Sequence, residues 1–162
     1  MRKLISLTAM LLALVACSSI DCPVYSKVEA HYFIYNSDGT ALKLTDTLSV
    51  NTKRSRGLDT LIYNQGVGVS DFYLPMSYSH PEDILEFTFF NGADSFRVVD
   101  TVWVKKDDIP HFESVDCNVS FFHRLTSVEY TTHHIDSLVI SNPSVTNDQT
   151  TEHFRLYPKV RN

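Results

Sequence analysis

The 162-residue sequence predicts an all-β fold: a single-domain antiparallel β-sandwich of about eight to nine strands. Three observations predict it. Apolar and polar residues alternate in short runs, all five glycines fall between those runs, and no helical periodicity persists beyond two turns. Regularly spaced runs with turn residues between them are the pattern of a sandwich or barrel, and a sandwich is preferred.

The elements follow in order. Val28, Ala30, Tyr32 and Ile34 alternate with Glu29, His31, Phe33 and Tyr35, which reads as the first strand. Asn36-Ser37-Asp38-Gly39 turns the chain into Leu42, Leu44, Leu48 and Val50, alternating with Lys43, Thr45, Thr47 and Ser49. Thr60–Tyr63 and Val67–Leu74 come next. Ser79-His80-Pro81-Glu82-Asp83, with an early proline and acids behind it, predicts one helical turn. Asn91-Gly92 is the strongest turn signal, since both residues tolerate the positive φ of a tight hairpin. It joins Leu85–Phe90 to Phe96–Val104. Phe121–Thr131, Ile135–Ile140 and His153–Tyr157 are the last strands, and Asn142–Thr151 is a polar loop.

The start of the chain has another character. Arg2 and Lys3 precede an apolar stretch from Leu4 to Leu14, and small residues lead to Cys17. That is the layout of an export signal, and it is too short for a bilayer-spanning helix, which takes about 20 residues. Leu14-Val15-Ala16-Cys17 resembles the lipobox of bacterial lipoproteins. The resemblance implies a signal peptide over 1–16 and a lipid on the Cys17 thiol; residues 17–27 then read as a tether and 28–162 as the β-sandwich domain. Because two or more acyl chains hold a protein stably on a bilayer, the membrane is the first expected partner. Ser18 in place of an aspartate implies the outer membrane, and the single acid Asp21 is a weak match to a surface-export signal. The periplasmic leaflet is therefore expected, with surface display as the alternative.

Composition sets further limits. Without residues 1–16, 146 residues remain, enough for one domain with a sizeable core. Taking Arg2 and Lys3 from 14 basic residues leaves 12 against 19 acids, a balance of −7. That balance argues against a nucleic-acid partner, which needs a basic stripe. Cys22 and Cys117 permit one bridge, which an oxidising compartment favours. Free thiols or a metal pair are the alternative, although no histidine spacing near Cys22 supports a metal.

Four triplets share the order acid, hydroxyl, aliphatic: Asp46-Thr47-Leu48, Asp59-Thr60-Leu61, Asp100-Thr101-Val102 and Asp136-Ser137-Leu138. Strict alternation would bury Asp46 and Asp100, and an unpaired buried carboxylate is too costly. Either the strands bulge there, or the carboxylates cap backbone amides. The triplet also resembles the O-glycosylation signal of exported Bacteroides-type proteins, which makes Thr47, Thr60, Thr101 and Ser137 candidate acceptors.

Seven histidines raise the question of metal or hydrolytic chemistry. Residues two apart on a strand share a face, so His111 with Glu113, or His134 with Asp136, can chelate. Each pair alone supplies too few ligands for zinc. No G-x-S-x-G, H-E-x-x-H or G-x-x-x-x-G-K motif is present. No catalytic residue or cofactor is expected. Trp103, Phe72, Tyr73 and Tyr78 offer aromatic surface for a sugar. Asp21-Cys22-Pro23, Leu74–Ser79, Pro110–Cys117 and Phe121-Phe122-His123 together resemble a family of small Bacteroidetes-type lipoproteins of unknown function. That resemblance supports pairing Cys22 with Cys117 and supplies no reaction. The expectation is a non-enzymatic envelope protein with a protein or glycan partner; the alternative is a metal-dependent or hydrolytic periplasmic enzyme.

Overall fold

A computed structural model describes residues 27–53, 59–112, 117 and 119–159. Ten strands form two packed sheets, with no helix among the described residues. They are β1 (Glu29–Ile34), β2 (Thr47–Thr52), β3 (Thr60–Gly66), β4 (Asp71–Pro75), β5 (Glu82–Asn91), β6 (Phe96–His111), β7 (Ser120–Tyr130), β8 (Ile135–Ile140), β9 (Ser144–Val145) and β10 (Phe154–Pro158). The small sheet has the order β4-β1-β10-β8 and the large one β3-β2-β5-β6-β7-β9.

Period-two patterning places the core between them. Ala30, Tyr32 and Ile34 face inward from β1, and Leu85, Phe87 and Phe89 face them from β5. Tyr32 lies between Phe72 and Phe154, with ring centroids 5.0 and 4.4 Å away. Phe87 reaches the same stack from the large sheet at 6.0 Å. Burial pushes the Tyr32 phenol far above its ordinary pKa, so it stays neutral.

The structure departs from the expected elements in several places, and the strand expected over Val67–Leu74 begins only at Asp71, after a positive φ at Gly68. Leu42 and Leu44 lie outside β2; their amides donate instead to the Ile34 and Val69 carbonyls. Glu82 and Asp83 belong to β5, paired with Lys105 and Val104, so no helical turn forms at Pro81. The Asn91-Gly92 hairpin exists with a longer loop, its positive φ falls on Ser95 at 58°, and the Asn91 side chain caps the Ala93 amide at 3.1 Å. Finally, β9 interrupts the expected 142–151 loop, and β10 runs parallel to β1. No hairpin constrains that pair, because almost the whole chain separates them.

Both ends of the sandwich carry charge at inward register positions. At one end are Asp83, Lys106, Asp108 and His123; at the other are Asp46, Asp100 and His134. Beyond β5, the outer parts of β6 and β7 continue, with β9 on the β7 edge at His123 and Arg124, and only Ile109 with Phe122 through His111 with Ser120 form a two-stranded ribbon.

Candidate functional site

The outward face of the small sheet is the most distinctive surface. A sandwich strand normally turns polar residues to solvent, yet β1 sets Phe33 and, just past its end, Tyr35 half-buried on this side, next to a His31 whose ring is buried. Neighbouring strands extend the row: Tyr73 lies opposite His31, Arg155 opposite Phe33, and Tyr157 next to Tyr35. Ring centroids are 3.9 Å apart for His31 and Tyr73, 4.2 Å for His31 and Phe33, 6.5 Å for Phe33 and Tyr35, and 5.9 Å for Tyr35 and Tyr157. No strand among the described residues packs over this face.

Polar groups flank the rings. The Tyr35 hydroxyl donates to Glu152 at 2.5 Å, Ser141 Oγ donates to the same carboxylate at 2.7 Å, and the Arg155 guanidinium also holds it. These contacts keep the Glu152 carboxyl below the usual carboxylate range, despite partial burial, and push the Tyr35 phenol up. Arg155 lies 5.5 Å from the Tyr35 ring centroid. Asp71 accepts from His31 Nε2 at 3.0 Å.

His31 also ties the face to its foundation. Its backbone N–H donates to His153 Nδ1 at 3.0 Å, which leaves Nε2–H of His153 to donate to the Ser144 carbonyl at 3.1 Å. His153 is buried, and desolvation lowers its pKa, so the neutral form with this tautomer is the stable one.

The ionic groups at the two ends act on backbone. Lys106 Nζ is fully buried and donates to the Ser77 carbonyl, to the His80 carbonyl at 2.8 Å and to Asp108 at 2.8 Å. Asp108 also bonds His123 Nδ1 at 2.7 Å. Lys106 thereby gathers the 76–81 loop over the end of the core. Beside it opens a cleft of about 480 Å³ bordered by Lys53, Ser77, His80 and Glu82. Burial raises the pKa of Asp83 in its wall, and Lys106 opposes that shift.

At the opposite end, Asp100 accepts from Thr131 Oγ1 and from the amides of His133, His134 and Ile135, all at 2.7–2.8 Å. His133 Nδ1 adds a fifth contact at 3.1 Å. These donors outweigh burial and keep its pKa low. Capping therefore resolves the Asp100 triplet. Asp46 accepts from Asn91 at 2.9 Å and lies 3.6 Å from His134 Nε2, beside a pocket of about 220 Å³.

The other sequence candidates scatter. His134 turns inward between Phe89 and Phe96 while Asp136 is exposed, so this pair does not converge. His111 stacks on Phe122 in the ribbon, and Glu113 lies outside the described residues. No group of three or more metal-ligating side chains occurs among the described residues. Thr47, Thr60, Thr101 and Ser137 are each half-buried in strands, and only Asp59 and Asp136 among their aspartates face solvent. Cys117 is disulfide-bonded. Cys17 and Cys22 lie outside the described residues. The aromatic face went unnoticed as a site, although the run His31-x-Phe33-x-Tyr35 at the outward register was a signal for it.

Neither the curated proteins nor the solved structures contain a match to this chain. One family model matches residues 47–158, which is most of the sequence. The chain belongs to the DUF6452 family, a family of unknown function.

Proposed function

We propose that this protein is a non-enzymatic binding lipoprotein of the cell envelope, held by a lipid on Cys17 at the periplasmic leaflet of the outer membrane. A disulfide from Cys117 to Cys22 ties its domain to that tether. The ligand is a glycan, taken on the outward face of the small sheet. The observation that carries this reading is the aromatic row on β1 and its neighbours, flanked by Asp71, Glu152 and Arg155. The negative face of an aromatic ring attracts the C–H groups of a sugar, while carboxylates and a guanidinium bond its hydroxyls.

Affinity electrophoresis of the domain in gels containing laminarin or dextran, a β-linked and an α-linked glucan, tests the reading. Retardation by one glucan, weakened about tenfold by Phe33→Ala or Tyr35→Ala, is expected, since one ring contact is worth roughly a factor of ten. Equal mobility in both gels and in plain gel refutes the glycan. The Asp46–His134 pair beside its pocket supports a second reading, a metal-dependent or hydrolytic periplasmic enzyme. Stoichiometric zinc in the purified domain, lost in His134→Ala, decides for it.

A further inference from the structure

We propose that β8 is the seam of a two-fold dimer, in which residues 137–141 pair antiparallel with the same residues of a second copy of this chain. Neither the lipid nor the glycan enters this pairing.

The open side of β8 follows from its closed one. Just past the strand, Ser141 N–H donates to the His153 carbonyl at 2.8 Å, and Val139 and Ser137 stand opposite Arg155 and Tyr157. Bonded and unbonded pairs alternate along an antiparallel ladder, so Ser137, Val139 and Ser141 use their backbone groups on β10. The Tyr35 amide, which takes the Leu156 carbonyl on the other side of β10, fixes the same phase. Leu138 and Ile140 therefore aim their amides and carbonyls away from the sheet. No strand among the described residues meets them, and Val139 between them is 43% exposed.

Such an edge is a template for another strand unless something blunts it. The other sheet edges are blunted. On β4 the same alternation turns Asp71, Tyr73 and Pro75 to the free side, and Pro75 has no N–H to offer. Along β3 the register shifts twice, and Gln65 takes a φ of 49°. β9 is two residues long. On β8 the one register shift lies before Ser137, at Tyr157 and Pro158 of β10. From Ser137 to Ser141 there is no proline and no charge.

Two features name a second copy as the occupant. First, Ser137-Leu138-Val139-Ile140-Ser141 reads nearly the same in both directions. With Val139 on the two-fold axis, serine meets serine, Leu138 meets Ile140, and the exposed Val139 meets itself. Both edge amides of each copy then find a carbonyl. Asp136 lies outside the paired stretch, opposite Asn142, so no like charges meet. Second, the pairing ends itself. Each copy contributes its one unblunted edge, and the joined small sheet finishes at β4, with Pro75, on both sides. A strand pair this short covers less than the roughly 1,200 Å² of a stable complex, so the dimer forms only as concentration rises. The aromatic faces of both copies then lie on one side of a continuous sheet.

Sedimentation velocity of the chain from residue 17 on, with Cys17→Ser to keep it in solution, tests the pairing from micromolar to millimolar concentration. A reversible passage from monomer to dimer is expected. Val139→Lys sets two lysines against each other in place of an apolar pair, so the dissociation constant should rise about tenfold. Val139→Glu should act alike, and a mixture of the two variants should dimerise again. The register has its own readout. Position 139 faces itself as an unbonded pair with Cα atoms about 4.5 Å apart, within disulfide reach. Position 137 is displaced from its own copy by four residues, about 13 Å along the strand. Oxidised Val139→Cys should therefore give a cross-linked dimer, located by peptide mapping, and Ser137→Cys should not. A monomer at every concentration overturns the proposal. So does a dimer that Val139→Lys and Val139→Glu, shown folded by their melting curves, both leave intact. Equal cross-linking at 137 and 139 overturns it as well, and that comparison decides the matter if the charged variants fail to fold.

Discussion

Replacing Asp100 with alanine is expected to cost more stability than any other single change at the 131–135 turn. The carboxylate is fully buried, and its two oxygens accept three backbone amides, one hydroxyl and one imidazole nitrogen. Hydrogen bonds to a charged group contribute about 1.5–3 kcal/mol each, and a buried donor stripped of its acceptor costs about 1–3 kcal/mol. Losses within one network do not add, and the His133 side chain is 63% exposed, so water can reach part of the vacated site. About 3–5 kcal/mol is the expected loss, at the upper end of single substitutions. Asp100→Asn keeps the shape but sets an amide N–H₂ against N–H donors, and it should recover only a fraction. Urea unfolding of the domain at pH 7, read by far-UV circular dichroism, measures both, with exposed Asp136→Ala as the control. A loss under about 1 kcal/mol for Asp100→Ala would refute the claim that this carboxylate organises the turn.

Two other perturbations follow from the same physics. Lys106→Met leaves Asp108 and two carbonyls facing an uncharged chain, so a loss of about 3–5 kcal/mol is expected, with faster amide exchange over 76–81. Retained protection of that loop in the variant would remove its assigned role. Acid should weaken the fold in two steps. Burial lowers the pKa values of His123, His134 and His153, so unfolded chains bind protons first as pH falls below about 6.5, and stability drops from there towards the depressed folded values. Asp100 and Glu152, also depressed, add a second loss below about pH 4, while Asp83, raised by burial, works in the opposite sense. Thermal melts at closely spaced pH values read this directly. A melting temperature flat from pH 7 to 5 would mean that these imidazoles stay solvated in the fold.

Much of the architecture was legible because alternation is a local property. Tyr32 and Ile34, or Phe87 and Phe89, announce which side is buried wherever they pair. Local signals failed where a distant partner decided. Pro81 with two acids behind it reads as a helix start, but Lys106, 25 residues on, takes the Ser77 and His80 carbonyls while its own amide takes that of Pro81. Ser144-Val145 is too short to show a period, and it pairs only because β7 offers His123 and Arg124 as an edge. The candidate face was half legible. His31, Phe33 and Tyr35 share a side by spacing alone, but only the pairing of β1 with β4 and β10 brings Tyr73, Arg155 and Tyr157 onto it.

By itself, then, the chain determined its class, its inward-facing residues and the charges at the strand ends, because period two and residue polarity act over a few neighbours. Tertiary structure alone decided what those charges do. Asp100 becomes a cap, Lys106 a clasp and His153 a support for β1, since each meets its partners across tens of residues of chain. A carboxylate or an ammonium can enter an interior only where such partners converge, and convergence is a property of the folded arrangement.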